Sequence, residues 1–469
     1  MIGIKCKFTA YLFALYALLA SLPAYADFAL GLQYYQRGDF EKAFAEFSQA
    51  AKMDDMSAQF NLGVMYYNGQ YVSADPIKAY AWLALAAQAK EFQDGKVHLQ
   101  IYQTLSNEQK LDADKLYKEL FDQYSSKSVE ARLIPTFQNK NGAQGNSHPL
   151  KSVYPNYPHS MARGDTSGLV DAFFTIDKHG LTRDHVVYMS TNKAFSDVVI
   201  DAIRKWQYEP KVIDGKVSEV HGMKIRFSFF MENERLDEGT VRHLLEKQKL
   251  KAESGNAEQQ FLYAYYLDLL PRQVESMNLE TLDNANLWYH TAARNGSVAS
   301  SFFLGQNVLN GERCVSNPDQ AMGWLLRAAQ SGVVDAQYLL AQELLSGSRL
   351  QKNEAQGLYW LEMAANIKSS KNDAAKLRYA WVLATHPDPE IRNGQRAAQY
   401  FASVHPSYED RQTYFQTAAA VAAENADFVG AIVHQRHALE DAKYLEIPTD
   451  HLRTQLEKYR NNLACREIP

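Results

Sequence analysis

Apolar and small residues recur along most of the chain with the spacing of an amphipathic helix, inside a unit that repeats. Trp288, Trp324 and Trp360 stand 36 residues apart, and each is followed by two alanines four and five positions later. A period of this length is typical of stacked pairs of helices. The pattern therefore predicts a helical solenoid, with the tryptophans filling the grooves between neighbouring repeats.

The same unit occurs near the N-terminus. Gly69, Gly311 and Gly347 each stand 13 residues before a tryptophan, which for Gly69 is Trp82. Glycine at these positions predicts a turn with positive φ between the two helices of a unit. Asn317-Pro318 then predicts a capped start of the second helix.

These spacings resemble the Sel-one-like repeat, a relative of the tetratricopeptide repeat. The matching ranges are 58–90, 257–296 and 299–366. Residues 28–52 and 418–442 are closer to plain tetratricopeptide units, as expected at the ends of an array. We predict helical repeats over 27–135 and again over 237–460, which makes the protein mainly α.

Residues 154–231, behind a polar linker at 136–153, have the pattern of a small α+β domain. Val170 to Ile176 alternates as a half-buried strand does, and the apolar positions from Phe195 to Trp206 form one helical stripe. In a last strand, Lys224, Arg226 and Ser228 fall on one face. The opposite face of that strand carries Met223, Ile225, Phe227 and Phe229.

The order of these elements and their short motifs resembles the C-terminal domain of the TonB family, which grips outer-membrane transporters from the periplasmic side. The motif residues are Tyr157, Pro158, Gly168, Gly180, Trp206, Tyr208 and Pro210. In that family a sheet edge holds a short transporter peptide, and an exposed edge can accept a strand. The resemblance implies that the docking edge is Met223, Lys224, Ile225, Arg226, Phe227, Ser228 and Phe229. The alternative is that neighbouring repeats cover this edge.

The N-terminus predicts export. Two lysines precede an apolar run of about 15 residues, which ends in Ala24-Tyr25-Ala26. This arrangement predicts a signal peptide of residues 1–26, cleaved after Ala26, and hence a periplasmic protein. A retained anchor is the competing interpretation, but the run is shorter than the roughly 20 residues that span a bilayer. No later segment is apolar enough to cross a membrane.

Charge and motifs exclude several functions. Removing the signal takes away Lys5 and Lys7 and moves the net charge from −5 to −7, which argues against nucleic acid as a partner. No phosphate-binding, metal-binding or nucleophile motif is present, so we expect no cofactor and no enzyme activity. Cys314 and Cys465 predict either a disulfide or two buried thiols.

Three hypotheses follow for the function. The first is a non-enzymatic periplasmic scaffold for envelope proteins, with a TonB-like docking module. The second is an accessory of TonB-dependent transport that binds transporters by strand pairing. The third is a cell-wall-associated protein. A force-transmitting TonB protein keeps a membrane helix and has a proline-rich stalk. In this sequence the apolar segment is predicted to be cleaved and no proline run is present. This difference predicts that the domain is reused for binding alone.

Overall fold

The computed structural model describes most of the chain after the predicted signal peptide, and it shows a mainly helical repeat protein with a small α+β segment. The described ranges are 26–89, 92, 96–138, 149–163, 167–213, 215–229, 237–274, 277–367, 372–405 and 410–467. The predicted signal (apart from Ala26) and residues 139–148 of the predicted linker lie outside these ranges. The chain divides into two compact units, one up to Ile134 and one from Pro135.

The first unit is helical. Its described helices are α1 (Ala26–Gln36), α2 (Phe40–Lys52), α3 (Met56–Asn68), α4 (Pro76–Ala86), α5 (Val97–Thr104), α6 (Asn107–Tyr124) and α7 (Ser126–Leu133). The turn between α3 and α4 follows from two residues. Gly69 ends α3 with φ +67°, and the Asp75 side chain accepts the backbone N–H groups of Ile77 and Lys78 at the start of α4.

The second unit contains the small domain and the longer helical array. The domain has β1 (Gly168–Ile176), β2 (Thr182–Ser190), β3 (Lys211–Ile213), β4 (Lys216–Ser218) and β5 (Val220–Phe229), with helices α8 (His159–Ala162) and α9 (Lys193–Ile203). The array begins with α10 (Glu238–Ala252), α11 (Ala257–Leu269), α12 (Ala285–Arg294), α13 (Val298–Asn310), α14 (Pro318–Gln330) and α15 (Val334–Ser346). It continues with α16 (Glu354–Asn366), α17 (Asp373–Thr385), α18 (Gly394–Ala402), α19 (Arg411–Glu424), α20 (Phe428–Tyr444) and α21 (Asp450–Arg460).

The repeat positions have the predicted conformations, and burial separates the tryptophans into two groups. Gly311 and Gly347 have φ values of +68° and +67°, and Asn317 caps α14. Trp324 and Trp360 are 1% exposed. Trp82 and Trp288 are only half-buried. Trp82 stacks on Tyr124 of α6 at 6.0 Å, so its neighbour is a longer helix of different pattern and not another copy of the unit.

The sheet of the small domain has three antiparallel strands in the order β2-β1-β5, with β3 and β4 forming a separate hairpin. The prediction that the helix runs to Trp206 is wrong, because α9 ends at Ile203. The chain leaves the helix so that Gln207 can bridge to Lys151 and Leu181. The Trp206 indole N–H donates to the carbonyl of Val153 at 2.8 Å.

One face of the sheet packs on α9 and the other on the repeats. Val170, Phe174, Phe195 and Ile203 share the core between the sheet and α9. Tyr188, on the other side, has aromatic contacts with Phe302 and Phe303 of α13. The domain is therefore built into the second unit, with the array as one wall of its core.

Candidate functional site

The strand β5 contains the predicted docking residues Met223–Phe229, and it forms one edge of the three-stranded sheet. Met223 to Phe229 pair without a break with Phe174 to Gly168 of β1. Among the described residues, β5 makes no backbone hydrogen bond to any strand other than β1. An edge of seven residues is about 23 Å long and can accept an added strand.

Both faces of β5 contact other parts of the second unit. Met223, Ile225 and Phe227 pack against the core beneath α9, and Lys224 and Arg226 are held by the repeats. Each of these residues is nevertheless half-buried, whereas every residue of the central strand β1 is buried. The backbone groups of β5 that do not pair with β1 lie on its lateral side, between these two faces.

The other edge, β2, is irregular and covered over its first half. The pairing of β1 with β2 shifts twice, and Asp184 has φ +54°. His185 is buried, and its Nδ1 lies 3.1 Å from the carboxylate of Asp410, which caps α19. Bulges and coverage of this kind protect an edge from pairing. From Met223 to Phe229, β5 is the more regular of the two edges, and its one register shift lies before this segment.

The polar face of β5, which carries Lys224 and Arg226, packs against the repeats and does not point to solvent. The Lys224 and Arg226 side chains are only 9% and 12% exposed. Arg226 donates from Nε and Nη2 to the two carboxylate oxygens of Asp171 at 2.5 and 2.8 Å, and from Nη1 to the carbonyl of Asp268 on α11 at 3.1 Å. Tyr265 of α11 also donates to Asp171, at 2.9 Å.

Lys224 extends these contacts to α13. We call the contacts of Arg226 and Lys224 with Asp171, Asp268 and Glu312 the clamp. Its Nζ donates to Asn307 at 3.0 Å and to Glu312 at 3.1 Å, and it lies 3.8 Å from Asp268. Burial alone would raise the pKa of the Asp268 carboxyl. The surrounding cations, led by Lys224, outweigh burial and hold that pKa well below its usual value. Asp268 is therefore a buried anion that ties β5 to the array.

The start of β5 is fixed separately. Arg349 donates to the carbonyl of His221 at 2.8 Å and pairs with Glu343 of α15. Gly222 has φ +60°, and a Cβ placed on it would lie 2.6 Å from Leu339 of α15. Only glycine suits both the conformation and the contact, so this position brings the strand against the array.

The TonB-type motif residues hold this scaffold in place. Gly180 has φ +78°, and a Cβ there would meet the carbonyl of Tyr208 at 2.0 Å; at Gly168 it would meet the ring of Phe195. Tyr157 has edge contacts with Phe195 and Phe229. The remaining motif residues are Pro158, which precedes α8, Trp206 in the core and Pro210 before β3.

Both cysteines that the structure describes, Cys314 and Cys465, are free and buried. The Cys314 thiol donates to the carbonyls of Asn307 and Glu312 at 3.5 and 3.4 Å, and burial raises its pKa to about 12. Burial also raises the pKa of Cys465, which lies beside Tyr459. Of the two alternatives left by the sequence, the structure has two buried thiols.

Sequence reasoning missed the acids of the clamp. Asp171 is 0% exposed in the middle of β1, and Asp268 is 2% exposed near the end of α11. The one local signal was a carboxylate within an apolar strand, because a buried charge requires a partner. Its partners Arg226 and Tyr265 are 55 and 94 residues away and have no signal near Asp171 in the sequence.

This architecture defines a helical-repeat protein with an α+β domain between its repeats. The chain carries Sel1 repeats at residues 23–55, 57–90, 298–333 and 334–368. Between them, residues 153–230 match the C-terminal domain of the Gram-negative bacterial TonB protein. The first match assigns residues 28–52 to a Sel1 repeat and so corrects their prediction as a plain tetratricopeptide unit. Neither match is to a catalytic family.

Two solved structures are similar to this chain. One is a Sel1 repeat protein from Oxalobacter formigenes, with 15% identity, a TM-score of 0.27 and coverage of 79% of this chain and 95% of that one. The other is c5321, a protective antigen of uropathogenic Escherichia coli strains with an SLR fold. Its identity is 17%, its TM-score 0.30, and the match covers 93% of this chain and 84% of that one. The family matches define the domains here.

No curated protein matches the chain. Across the described ranges, no helix is long and apolar enough to cross a membrane. The same ranges hold no cluster of three or more His, Cys, Asp or Glu side chains that could bind a metal ion.

Proposed function

We propose that this protein is a non-enzymatic periplasmic scaffold whose TonB C-terminal domain docks an extended segment of an envelope protein along the outer edge of β5. One observation carries the proposal. Met223–Phe229 is a regular edge strand with its outer backbone groups unpaired by other strands among the described residues. A partner strand would gain main-chain hydrogen bonds there without any rearrangement of the sheet.

The clamp to the repeats supports this role. Arg226 and Lys224 hold β5 on α11 and α13, so the edge is fixed before a partner arrives. A rigid site loses less conformational entropy on binding than a mobile one. Helical repeats supply further surface for protein partners, and the domain and array together form one scaffold.

The TonB family match favours one class of occupant, the periplasmic segment of a TonB-dependent transporter. That would make the protein an accessory of TonB-dependent uptake, the second hypothesis above. The supporting observation is that the predicted strand Met223–Phe229 is the sheet's regular edge. Family resemblance alone is weak support for a function, so the partner has to be tested at this edge.

A pair of matched cysteine variants tests the docking. Ser228 lies on β5 and Ser190 on the opposite edge strand, and both are half-buried. Each Ser→Cys variant of the full mature chain is labelled with a photocrosslinking maleimide and irradiated with solubilised outer membranes. Cys314 and Cys465 are 0% and 1% exposed, so labelling should occur at the introduced thiol.

We expect the Ser228→Cys probe to crosslink to a TonB-dependent transporter, identified by mass spectrometry, and the Ser190→Cys probe not to do so. Equal capture from both edges, or capture of no transporter from Ser228→Cys, would refute strand docking at β5. Capture of another envelope protein from β5 alone would retain the scaffold and exclude the uptake role.

A further inference from the structure

A cavity of about 540 Å³ lies between the small domain and the C-terminal end of the array, apart from the β5 edge. Its walls come from the turn after β1, from β2, and from α17, α19 and α21. Its volume is within the range of about 300–1,000 Å³ that small-molecule sites occupy. Charged and amide side chains line it together with Leu181, Leu377, Trp381 and Leu445, so a ligand would need polar groups beside an apolar part.

The acids in the wall already have donors. Asp177 accepts the backbone N–H groups of His179 and Leu181, both at 2.8 Å. Asp184 and Glu219 both pair with Arg183. The two remaining acids are Asp410, which accepts from Thr413, and Glu467, which accepts from Gln455. No acid of the wall is left without a hydrogen-bond donor.

The cations in the wall are less completely paired. Arg183 bridges two acids, and Arg204 pairs with Asp441 and lies 3.7 Å from Asp410. Lys178, Arg378 and Lys458 also line the cavity. These three side chains form no ion pair with any residue that the structure describes.

Five acids and five cations line the whole wall, and the cations without an ion pair add positive charge around Glu219. Burial alone would raise the pKa of Glu219, but Arg183, Arg378 and other cations outweigh burial and lower it to about 2. Arg378 is half-buried on α17, while Lys178 and Lys458 are exposed at the rim. The Gln412 side chain in the same wall makes no hydrogen bond to the described residues and is available as a donor.

We propose that this cavity binds a small polyvalent organic anion through carboxylate or phosphoryl oxygens. Arg378 would form the inner contact, since a guanidinium matches such oxygens with two parallel hydrogen bonds. Lys178 and Lys458 would neutralise the outer charges, and Gln412 would add a neutral hydrogen bond. The ligand would touch both the small domain and the array, so its binding stabilises their contact.

Calorimetric titration of the full mature chain at low salt tests the site with citrate, inorganic pyrophosphate and the neutral ester triethyl citrate. We expect one-to-one binding of citrate, pyrophosphate or both, and none of the ester. Binding of citrate alone would identify a carboxylate ligand, and binding of pyrophosphate alone a phosphoryl ligand. Absence of binding by both anions, or equal binding of the ester, would overturn the proposal.

Three variants locate the binding. Arg378→Gln should weaken it about tenfold or more, because it removes a charged hydrogen bond from a half-buried site. Lys458→Gln, at the rim, should weaken it about twofold to fivefold. Arg453→Gln removes the same charge from an exposed position of α21 outside the cavity and should leave binding unchanged.

Lys458→Gln also keeps the test decisive if Arg378→Gln fails to fold, since Lys458 is exposed. Equal weakening by Lys458→Gln and Arg453→Gln would mean a general charge effect, and it would overturn the site.

Discussion

Replacing Arg226 by methionine is expected to loosen the TonB C-terminal domain from the repeat array. The guanidinium forms a two-pronged contact with Asp171, donates to the carbonyl of Asp268 and lies 5.3 Å from the ring centre of Tyr265. Methionine keeps most of the side-chain length and removes the charge. Asp171, which is 0% exposed, would then keep only the Tyr265 hydroxyl as a side-chain donor among the described residues.

The expected cost is that of an uncompensated buried charge. Removing one partner of a buried ion pair typically costs about 3–5 kcal/mol. For a unit of this size the loss corresponds to a fall in melting temperature on the order of 5–10 °C. Adding Asp171→Asn removes the stranded charge, so the double variant should be more stable than Arg226→Met alone.

Thermal unfolding combined with limited proteolysis is the suitable assay, because a chain of two compact units does not unfold in one two-state step. Arg242→Met is the matched control. Arg242 pairs with Glu238 one helical turn away, and the two side chains are 40% and 38% exposed. Such a pair contributes about 0.2–1 kcal/mol. If Arg226→Met costs no more than the control, or if the double variant loses the sum of both single effects, the clamp is not a buried ion pair.

Four further outcomes are expected. Trp206→Ala should cost about 3–5 kcal/mol, measured by thermal unfolding, because it opens a cavity in the domain core. Gly222→Ala should lower the melting temperature and increase protease sensitivity of the domain, through the clash and the positive φ at that position. Burial lowers the pKa of His221 to about 4, so the unfolded chain takes up protons first and stability should fall as the pH drops from about 6.5 to 4. Glu219, with its pKa near 2, should extend that loss below about pH 4 in melts recorded across the pH range. Cys314 should resist a thiol reagent in the native protein and react after denaturation, as a colour assay of released thiolate would show.

Each outcome has a result that would contradict it. A wild-type melting temperature for Trp206→Ala or Gly222→Ala would mean that the residue is not packed as described. Constant stability between pH 7 and 4 would show that His221 is not buried neutral. Rapid labelling of Cys314 in the native protein would place its thiol at the surface. A Cys465→Ser variant is the control for labelling at Cys465.

Local features of the fold could be predicted from the sequence. Turn glycines such as Gly311 and the caps before helices such as α14 act on the residues next to them, so spacing is enough to locate them. The alternation in β5 likewise shows which residues share a face. It does not show what covers that face, and Lys224 proved to lie against the array and not in solvent.

The parts that could not be predicted depend on distant contacts. Lys224 and Glu312 are 88 residues apart, and the cavity joins β2 to helices more than 190 positions later. Local periodicity carries no information on such pairs. The end of α9 was misplaced for the same reason, because the hydrogen bond from Trp206 to Val153 and the bridges of Gln207 decide where the helix stops.

Hydrogen–deuterium exchange along β5 is the measurement that tests the central claim most directly. It compares the purified protein alone and in complex with the purified partner captured at Ser228. Strand docking predicts that the outward amides of Met223–Phe229 exchange rapidly in the free protein and become protected in the complex, while those of β2 are unchanged. Protection confined to the repeats, with exchange of β5 unaltered by the partner, would contradict the account.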